Sequence, residues 1–133
     1  GGLCARALRF GGPDSLEDVV LRHALGEPVS GIARESAASG VMMIPIPCNG
    51  VYMDATGGED ALCVPGVEDV VITAKQGQRL LRLPEGNSYL GFIFARAGTP
   101  GEVEKALREG HRRLRFEMAA ELPVLCESKA SLV

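Results

Sequence analysis

The segment at residues 89–95 limits the folds open to this chain more than any other stretch. Its residues, YLGFIFA, are apolar at odd and even positions alike, which is typical of a strand that is buried on both faces. Gly91 within it leaves room for a neighbouring backbone to approach closely. The sequence therefore predicts a sheet in which this strand lies at the centre.

A long helix is predicted directly after that strand. Thr99 caps it, Pro100 takes the first helical position and Glu102 completes a capping box. The stripe expected to be buried consists of residues at helical spacing: Val103, Ala106, Leu107, Gly110 and Leu114. The opposite face is rich in lysine, arginine and glutamate, and we interpret it as a solvated surface.

The run at residues 41–47 is predicted to be extended, because its two prolines exclude a helix. The same prolines remove hydrogen-bond donors, so we expect an edge strand or one that pairs only through its first half. Asn49 and Gly50 follow as a tight-turn signal, which predicts a β-hairpin between this run and residues 51–54.

With the remaining segments, the predicted order is one helix, then strands joined by turns, then the long helix. A helix is predicted from its cap at Ser15 to Gly26, a surface loop at 27–39, a short helix at 59–64 and a β-branched strand at 67–74. After Phe116 the pattern is weak, and a short strand is expected only at Val124 and Leu125. This order predicts an α+β fold in which helices cover one face of an antiparallel sheet.

Charge and hydropathy exclude several classes of partner. The chain has 14 basic and 17 acidic residues, a net charge of −3, and neither sign forms a block, so we expect no nucleic-acid partner. Its longest apolar stretches have about 8 to 10 residues, against the ~20 that span a bilayer, so we expect no membrane segment. We expect a cytoplasmic protein.

The cysteines and histidines do not predict a metal site. Cys4, Cys48, Cys63 and Cys126 are widely spaced in apolar surroundings, which favours buried, reduced thiols. The two histidines fall in separate helical patterns, so zinc-ligand spacing is missing. The sequence therefore predicts no metal ligands.

The chain also lacks a recognisable catalytic pattern. No serine lies in a nucleophile elbow, and the acidic pairs, such as Glu68 and Asp69, are adjacent in sequence. Adjacent side chains point in different directions on a helix or a strand, so these carboxylates are not expected to share a proton. Gly57 and Gly58 precede a helix but lack the lysine and hydroxyl of a phosphate loop. Motifs alone predict an α+β domain and nothing finer.

Longer segments of the sequence predict more than the short motifs do. Six of them are GGLCARALRF, SLEDVVLRHALG, ASGVMMIPIP, VPGVEDVVITA, LPEGNSYLGFIFARA and TPGEVEKALREGHRRLRF. Together they resemble the C-terminal part of ATP-grasp carboxylate–amine ligases, in particular the dipeptide-forming L-amino-acid ligases. The chain is more distantly similar to glycinamide ribonucleotide synthetase and biotin carboxylase. The similarity runs from Gly1 to about Phe116, and its most specific motifs are GVMMIPIP and YLGFIFAR.

The resemblance implies a reaction in which ATP activates a carboxylate as an acyl phosphate, which an amine or a thiol then attacks with release of ADP and phosphate. In relatives, lysines hold the nucleotide and a Glu/Asn set binds magnesium, all in a preceding domain. Lys75, Lys105 and Lys129 are in other contexts here. Of the relatives' substrate loop only Gly-Gly is present, so the resemblance implies substrate-binding residues Gly1 and Gly2, with no catalytic or metal residues and no cofactor in this chain.

The resemblance also implies a domain organisation. Residues 1–26 would be the end of an ATP-grasp domain, residues 27–118 a C-terminal α+β domain and residues 119–133 a tail. Such a chain, which begins Gly-Gly without Met, would be a fragment of a longer ligase. It would be inactive alone, and its sheet would help to shape the acceptor pocket.

Several partners are implied in the same way. They are the preceding ATP-grasp domain of the same chain and small-molecule carboxylate, amine or thiol substrates. Loss of that domain is expected to leave Leu3, Leu8 and Phe10 partly exposed, which favours a homo-oligomer. The alternative is a freestanding α+β module that binds a ligand or regulates another protein, and the full reading frame of the gene separates the two hypotheses.

Overall fold

Six strands, three α-helices and one 3₁₀ helix form the part of the chain, residues 2–121, that the computed structural model describes. Their order is the 3₁₀ helix Gly2–Ala7, α1 Leu16–Ala24, β1 Ala38–Ile44, β2 Gly50–Thr56, α2 Gly58–Leu62, β3 Val67–Ile72, β4 Arg79–Leu80, β5 Gly91–Ala97, α3 Pro100–Arg113 and β6 Arg115–Ala119. The strands pair in antiparallel fashion, so the predicted α+β class is confirmed.

The first sheet has the order β1-β5-β3 and confirms the central position predicted for β5. Ile93, at the middle of β5, is fully buried, and Phe94 on the opposite face is 4% exposed. Gly91 faces β3 so closely that a Cβ there would overlap the carbonyl oxygen of Val71. Strand β1 is an edge strand, as its prolines predicted.

The second sheet has the order β4-β2-β6 and contains a strand that the sequence analysis missed. Residues 115–119 form β6, which pairs with β2 along its length. Phe116 and Met118 are half-buried and pack on the core, whereas the alternate residues Arg115, Glu117 and Ala119 are exposed. Val124 and Leu125, where a strand was predicted, lie outside the described residues.

The predicted hairpin at Asn49 and Gly50 is wrong. Strands β1 and β2 belong to different sheets, and β1 pairs with β5 instead. The prolines explain this, because they end the ladder of β1 at Ile44 and the chain then crosses to the second sheet. The Asn49 carboxamide oxygen accepts a hydrogen bond from the backbone N–H of Arg82 at 2.7 Å, so it anchors the approach to β2 rather than a two-residue turn.

Helix α3 covers one face of the first sheet and follows the sequence prediction closely. The Thr99 hydroxyl accepts a hydrogen bond from the backbone N–H of Glu102, and the Glu102 carboxylate accepts one from the Thr99 backbone N–H at 2.9 Å. Gly40 of β1 lies directly under this helix. A Cβ placed on Gly40 would come within 2.8 Å of the Val103 side chain, so the strand and the helix are in close contact there. The buried core unites both sheets with the helices: Ile44, Ile46, Tyr52, Ala61, Leu80, Leu90, Ile93, Ala95, Val103, Ala106, Leu107 and Leu114.

Helix α1 forms where it was predicted but contributes no buried residue. Ser15 caps it and Asp18 completes a capping box, so local interactions define its start. Val20, Leu21 and Leu25 on its surface are 57%, 62% and 76% exposed. The apolar side chains expected to be partly exposed before this helix, Leu3, Leu8 and Phe10, are half-buried.

The prediction of buried thiols is wrong at two positions and untested at one. Cys48 and Cys63 are exposed, because Cys48 lies in the connection between the sheets and Cys63 at the end of α2. Cys4 is half-buried and Cys126 lies outside the described residues. Among residues 2–121, no helix has the length and apolar character of a membrane-spanning segment.

Candidate functional site

The predicted substrate-binding glycines lie at the start of the chain, and the structure describes one of them. Gly1 is outside the described residues. Gly2 begins the 3₁₀ helix and is exposed, and a Cβ placed on it would meet no atom within 4 Å. The fold therefore leaves the Gly2 backbone open to a ligand, and the substrate-binding role stays a prediction.

An arginine at the end of β5 connects this helix to the sheet. The Arg96 side chain is only 12% exposed and its guanidinium reaches three different segments. Nε donates to Glu68 Oε1 on β3 at 2.9 Å, Nη1 contacts Glu35 Oε1, and Nη2 donates to the carbonyl oxygen of Ala7 at 3.1 Å. The planar fork of arginine suits this arrangement because it fixes several acceptors at once.

Two further arginines attach the same N-terminal region to β3. Arg6 Nη2 donates to Asp69 Oδ2 at 2.8 Å, and its guanidinium lies 4.9 Å from the ring centre of Phe94. Arg9 Nη2 donates to Glu68 Oε2 at 3.2 Å. The adjacent carboxylates Glu68 and Asp69 thus bind different arginines, Glu68 both Arg9 and Arg96, and Asp69 Arg6. A register shift between β3 and β5 lies at this point of the ladder.

We call these six side chains the arginine cluster; its members are Arg6, Arg9, Glu35, Glu68, Asp69 and Arg96. Burial lowers the pKa of the Arg96 guanidinium, and the positive charges of Arg9 and Arg34 lower that pKa further. An arginine nevertheless stays protonated in proteins, so Arg96 is a fixed positive charge that its carboxylates compensate. Hydrogen bonds to charged groups are stronger than those between neutral groups. Arg6 and Arg9 are more exposed than Arg96, so their ion pairs contribute less to stability than those of Arg96.

No local sequence pattern predicts this cluster. The contacts join residues that are 28 to 89 positions apart, and no local motif connects them. The only available signal was Arg96 itself, a charged residue that directly follows an apolar strand. A charged residue ends many strands without forming an ion pair. The contacts of Arg96 are therefore visible only in the folded chain.

A cleft of about 590 Å³ opens beside Arg96. It lies between the turn at Pro65 and Gly66 and the first turns of α3, where Lys105 and Glu109 contribute to its wall. Glu35 lines a neighbouring cleft of about 430 Å³. The Arg96–Glu35 pair thus contributes one residue to each of two adjoining clefts.

Two of the three lysines of the sequence lie among the described residues. Lys75 lies in the loop after β3 and Lys105 on α3, and both are exposed. Within residues 2–121, no three histidine, cysteine or acidic side chains converge on a point where an ion would bind. The basic outer face of α3 is neutralised locally, since Arg108 pairs with Glu104, and Arg112 and Arg113 pair with Glu109.

Comparisons with known proteins assign the family. Residues 42–119, from β1 to β6, match the model of the L-amino acid ligase C-terminal domain 2. The chain therefore belongs to this family, which confirms the resemblance to ATP-grasp ligases of the L-amino-acid type. No curated protein matches the chain.

A solved structure is similar in fold. The chain superimposes on an L-amino acid ligase from Bacillus licheniformis with a TM-score of 0.66 and 24% sequence identity. The match covers 80% of this chain and 27% of that enzyme, so the chain spans about a quarter of the length of its structural neighbour. The family match starts within β1, and the 3₁₀ helix, α1 and Glu35 precede it.

Proposed function

We propose that the chain is the C-terminal part of an ATP-dependent, ADP-forming carboxylate–amine or carboxylate–thiol ligase that works through an acyl phosphate. Alone it is inactive, and its sheet helps to shape the acceptor pocket of the whole enzyme. The observation that carries the proposal is the match of residues 42–119 to a domain of L-amino acid ligases.

The nucleotide and magnesium are assigned to a preceding ATP-grasp domain of the same chain. The reason is chemical, because a triphosphate needs unpaired cations and metal-binding carboxylates. Among residues 2–121 the arginines of the cluster are paired with their own carboxylates, and no group of metal-binding side chains is formed. The contribution of this chain is instead the substrate contact implied for Gly1 and Gly2, and the exposure of Gly2 supports it.

Calorimetry and ATP hydrolysis test whether Mg-ATP is bound by the preceding domain and not by this chain. We expect the chain of residues 1–133 to give no saturable binding of Mg-ATP and no hydrolysis, and the full gene product to show both in the presence of amino acids. Saturable Mg-ATP binding by residues 1–133 alone would favour the alternative, a freestanding ligand-binding module.

A pair of glycine variants tests the substrate contact. Gly2→Ala adds a methyl group that meets no atom of this fold, so the melting temperature of the chain should stay unchanged. In the full gene product the same methyl group would obstruct a substrate at the backbone and raise the KM for the amino acids about tenfold. Gly12→Ala is the matched control, since it also adds a methyl group in open space. Equal KM values for the two variants would exclude a substrate contact at Gly2.

A further inference from the structure

We propose that Arg96 is a positioning residue, which holds the 3₁₀ helix Gly2–Ala7 against the sheet and thereby places the backbone at Gly2 for substrate. This inference rests on the proposed function, because it concerns the same substrate contact. It adds a residue from inside the family domain, at the end of β5, to a site formed by residues that precede that domain.

The hydrogen bond from Arg96 to Ala7 fixes the far end of the helix that begins at Gly2. A 3₁₀ helix rises about 2 Å per residue, so Gly2 lies roughly 10 Å from this anchor along a short, hydrogen-bonded segment. A small rotation of the helix at Ala7 would thus move the Gly2 backbone far enough to break a contact with a substrate. The position of Gly2 depends on how firmly Ala7 is held.

Arg96 is itself fixed in direction before it reaches Ala7. Its Nε and Nη1 are bound by Glu68 and Glu35, so the remaining Nη2 points along the plane of the guanidinium towards the Ala7 carbonyl. A lysine at this position would offer one compact ammonium group in place of the fork and would not bind all three acceptors in this geometry.

A second attachment prevents the helix from turning about Ala7. Arg6 bonds Asp69 on β3 and lies over the ring of Phe94 on β5. None of the residues of the 3₁₀ helix is fully buried, so its apolar packing against the sheet is only partial. The polar contacts therefore determine where this segment lies, and removing them should free the segment without unfolding the core.

Hydrogen exchange on residues 1–133 tests the attachment directly. In Arg96→Lys we expect exchange of the Leu8 amide, which donates to Ala5 within this segment, to become about tenfold faster. Amides of β5 and of the middle of α3 should exchange as in the unmodified chain. Arg113→Lys is the matched control, because Arg113 bonds Glu109 at 2.9 Å within α3. If the core amides of Arg96→Lys also exchange faster, the test is repeated with Asp69→Asn, which changes a partly exposed side chain.

Kinetics of the full gene product separate positioning from simple stabilisation. If Arg96 positions the substrate backbone, Arg96→Lys or Asp69→Asn raises the KM for the amino acids about tenfold and leaves the KM for ATP unchanged. A purely structural role would lower kcat through a smaller active fraction and leave both KM values as they were, which would overturn the inference. Unchanged exchange at Leu8 in both variants would overturn it as well, with the proposed function intact. A full gene product that joins no amino acids with ATP would overturn the proposed function, and the positioning role with it.

Discussion

Gly91 lies against Val71 of the neighbouring strand at a distance that leaves no room for a side chain. A methyl group on Gly91 would overlap the Val71 carbonyl oxygen, and this atom belongs to the backbone of a paired strand that cannot move aside cheaply. We expect Gly91→Ala to lower the free energy of unfolding by about 3 kcal/mol, measured by urea denaturation.

Gly101→Ala is the control for that substitution. It also adds one methyl group, but within α3 and with no atom nearby. Alanine restricts the unfolded chain and favours helix, so this variant should be more stable by about 0.5 kcal/mol. Equal losses of stability in the two variants would show that β3 and β5 are not in close contact at Gly91.

Ile93→Ala tests whether β5 is buried on both faces. Ile93 is fully buried, and deleting its branched side chain leaves a cavity, so we expect a loss of about 2 to 5 kcal/mol in urea denaturation. Leu25→Ala, at a side chain that is 76% exposed, should change the stability by less than about 0.5 kcal/mol. A harmless Ile93→Ala would mean that this face of the strand is open to solvent.

Thr99→Ala and Ser15→Ala remove equivalent capping boxes and should have different consequences. The Thr99 cap begins α3, which is part of the core, so its loss should cost about 1 kcal/mol of global stability. The Ser15 cap begins α1, which has no buried residue, so its loss should speed amide exchange within α1 and leave the urea midpoint unchanged. A shared drop in the midpoint would contradict the peripheral position of α1.

Acid should weaken the pairing on the outer face of α3. Hydrogen bonds from Arg113 and Arg112 hold the pKa of Glu109 below its ordinary value of 4.5. A lowered pKa means that the folded state favours the carboxylate, so this stabilisation is complete above pH 4.5 and is lost as the pH falls through the lowered pKa. We expect the difference in urea midpoint between pH 6 and pH 3 to be smaller in Glu109→Gln. The effect of the substitution should shrink in 1 M salt, because Arg112 and Arg113, the partners of Glu109, are exposed.

The exposed apolar side chains of α1 predict self-association at high concentration. We expect light scattering to detect oligomers, and Leu21→Lys to reduce them, because a charge would have to be buried in the contact. Leu83→Lys is the matched control, since Leu83 is 54% exposed but belongs to the loop before β5 and not to α1. A monomer at every concentration would exclude this contact.

Elements that are specified by residues close together in the chain could be predicted from the sequence. The cap, the first-position proline and the buried stripe of α3 all lie within 16 consecutive residues, and the structure confirms each of them. The same holds for the start of α1 at Ser15 and for the central position of β5, whose apolar character on both faces requires two neighbouring strands. The substrate-binding role of Gly2 came from the family resemblance alone and stays a prediction.

Features that depend on distant residues were not predictable in the same way. Asn49 and Gly50 are typical of a hairpin, but the choice of partner for β1 is made by β5, far along the chain. Strand β6 alternates regularly over only five residues, which is too short to separate it from a loop by pattern. Arg96 finds Glu35, Glu68 and Ala7 only when the chain is folded.

The pairing of β1 with β5 has a consequence for the order of folding. Ala38 lies opposite Ala97, so all of the second sheet except β6 is contained in the loop that this pairing closes. Strands β3 and β5 and helix α3 are closer in sequence, and closing a shorter loop costs less entropy. We therefore expect β3, β5 and α3 to assemble first and β1 to join late. A substitution in β1 such as Met42→Ala should then accelerate unfolding in stopped-flow measurements and hardly slow folding, and a mainly slower folding rate would reverse this order.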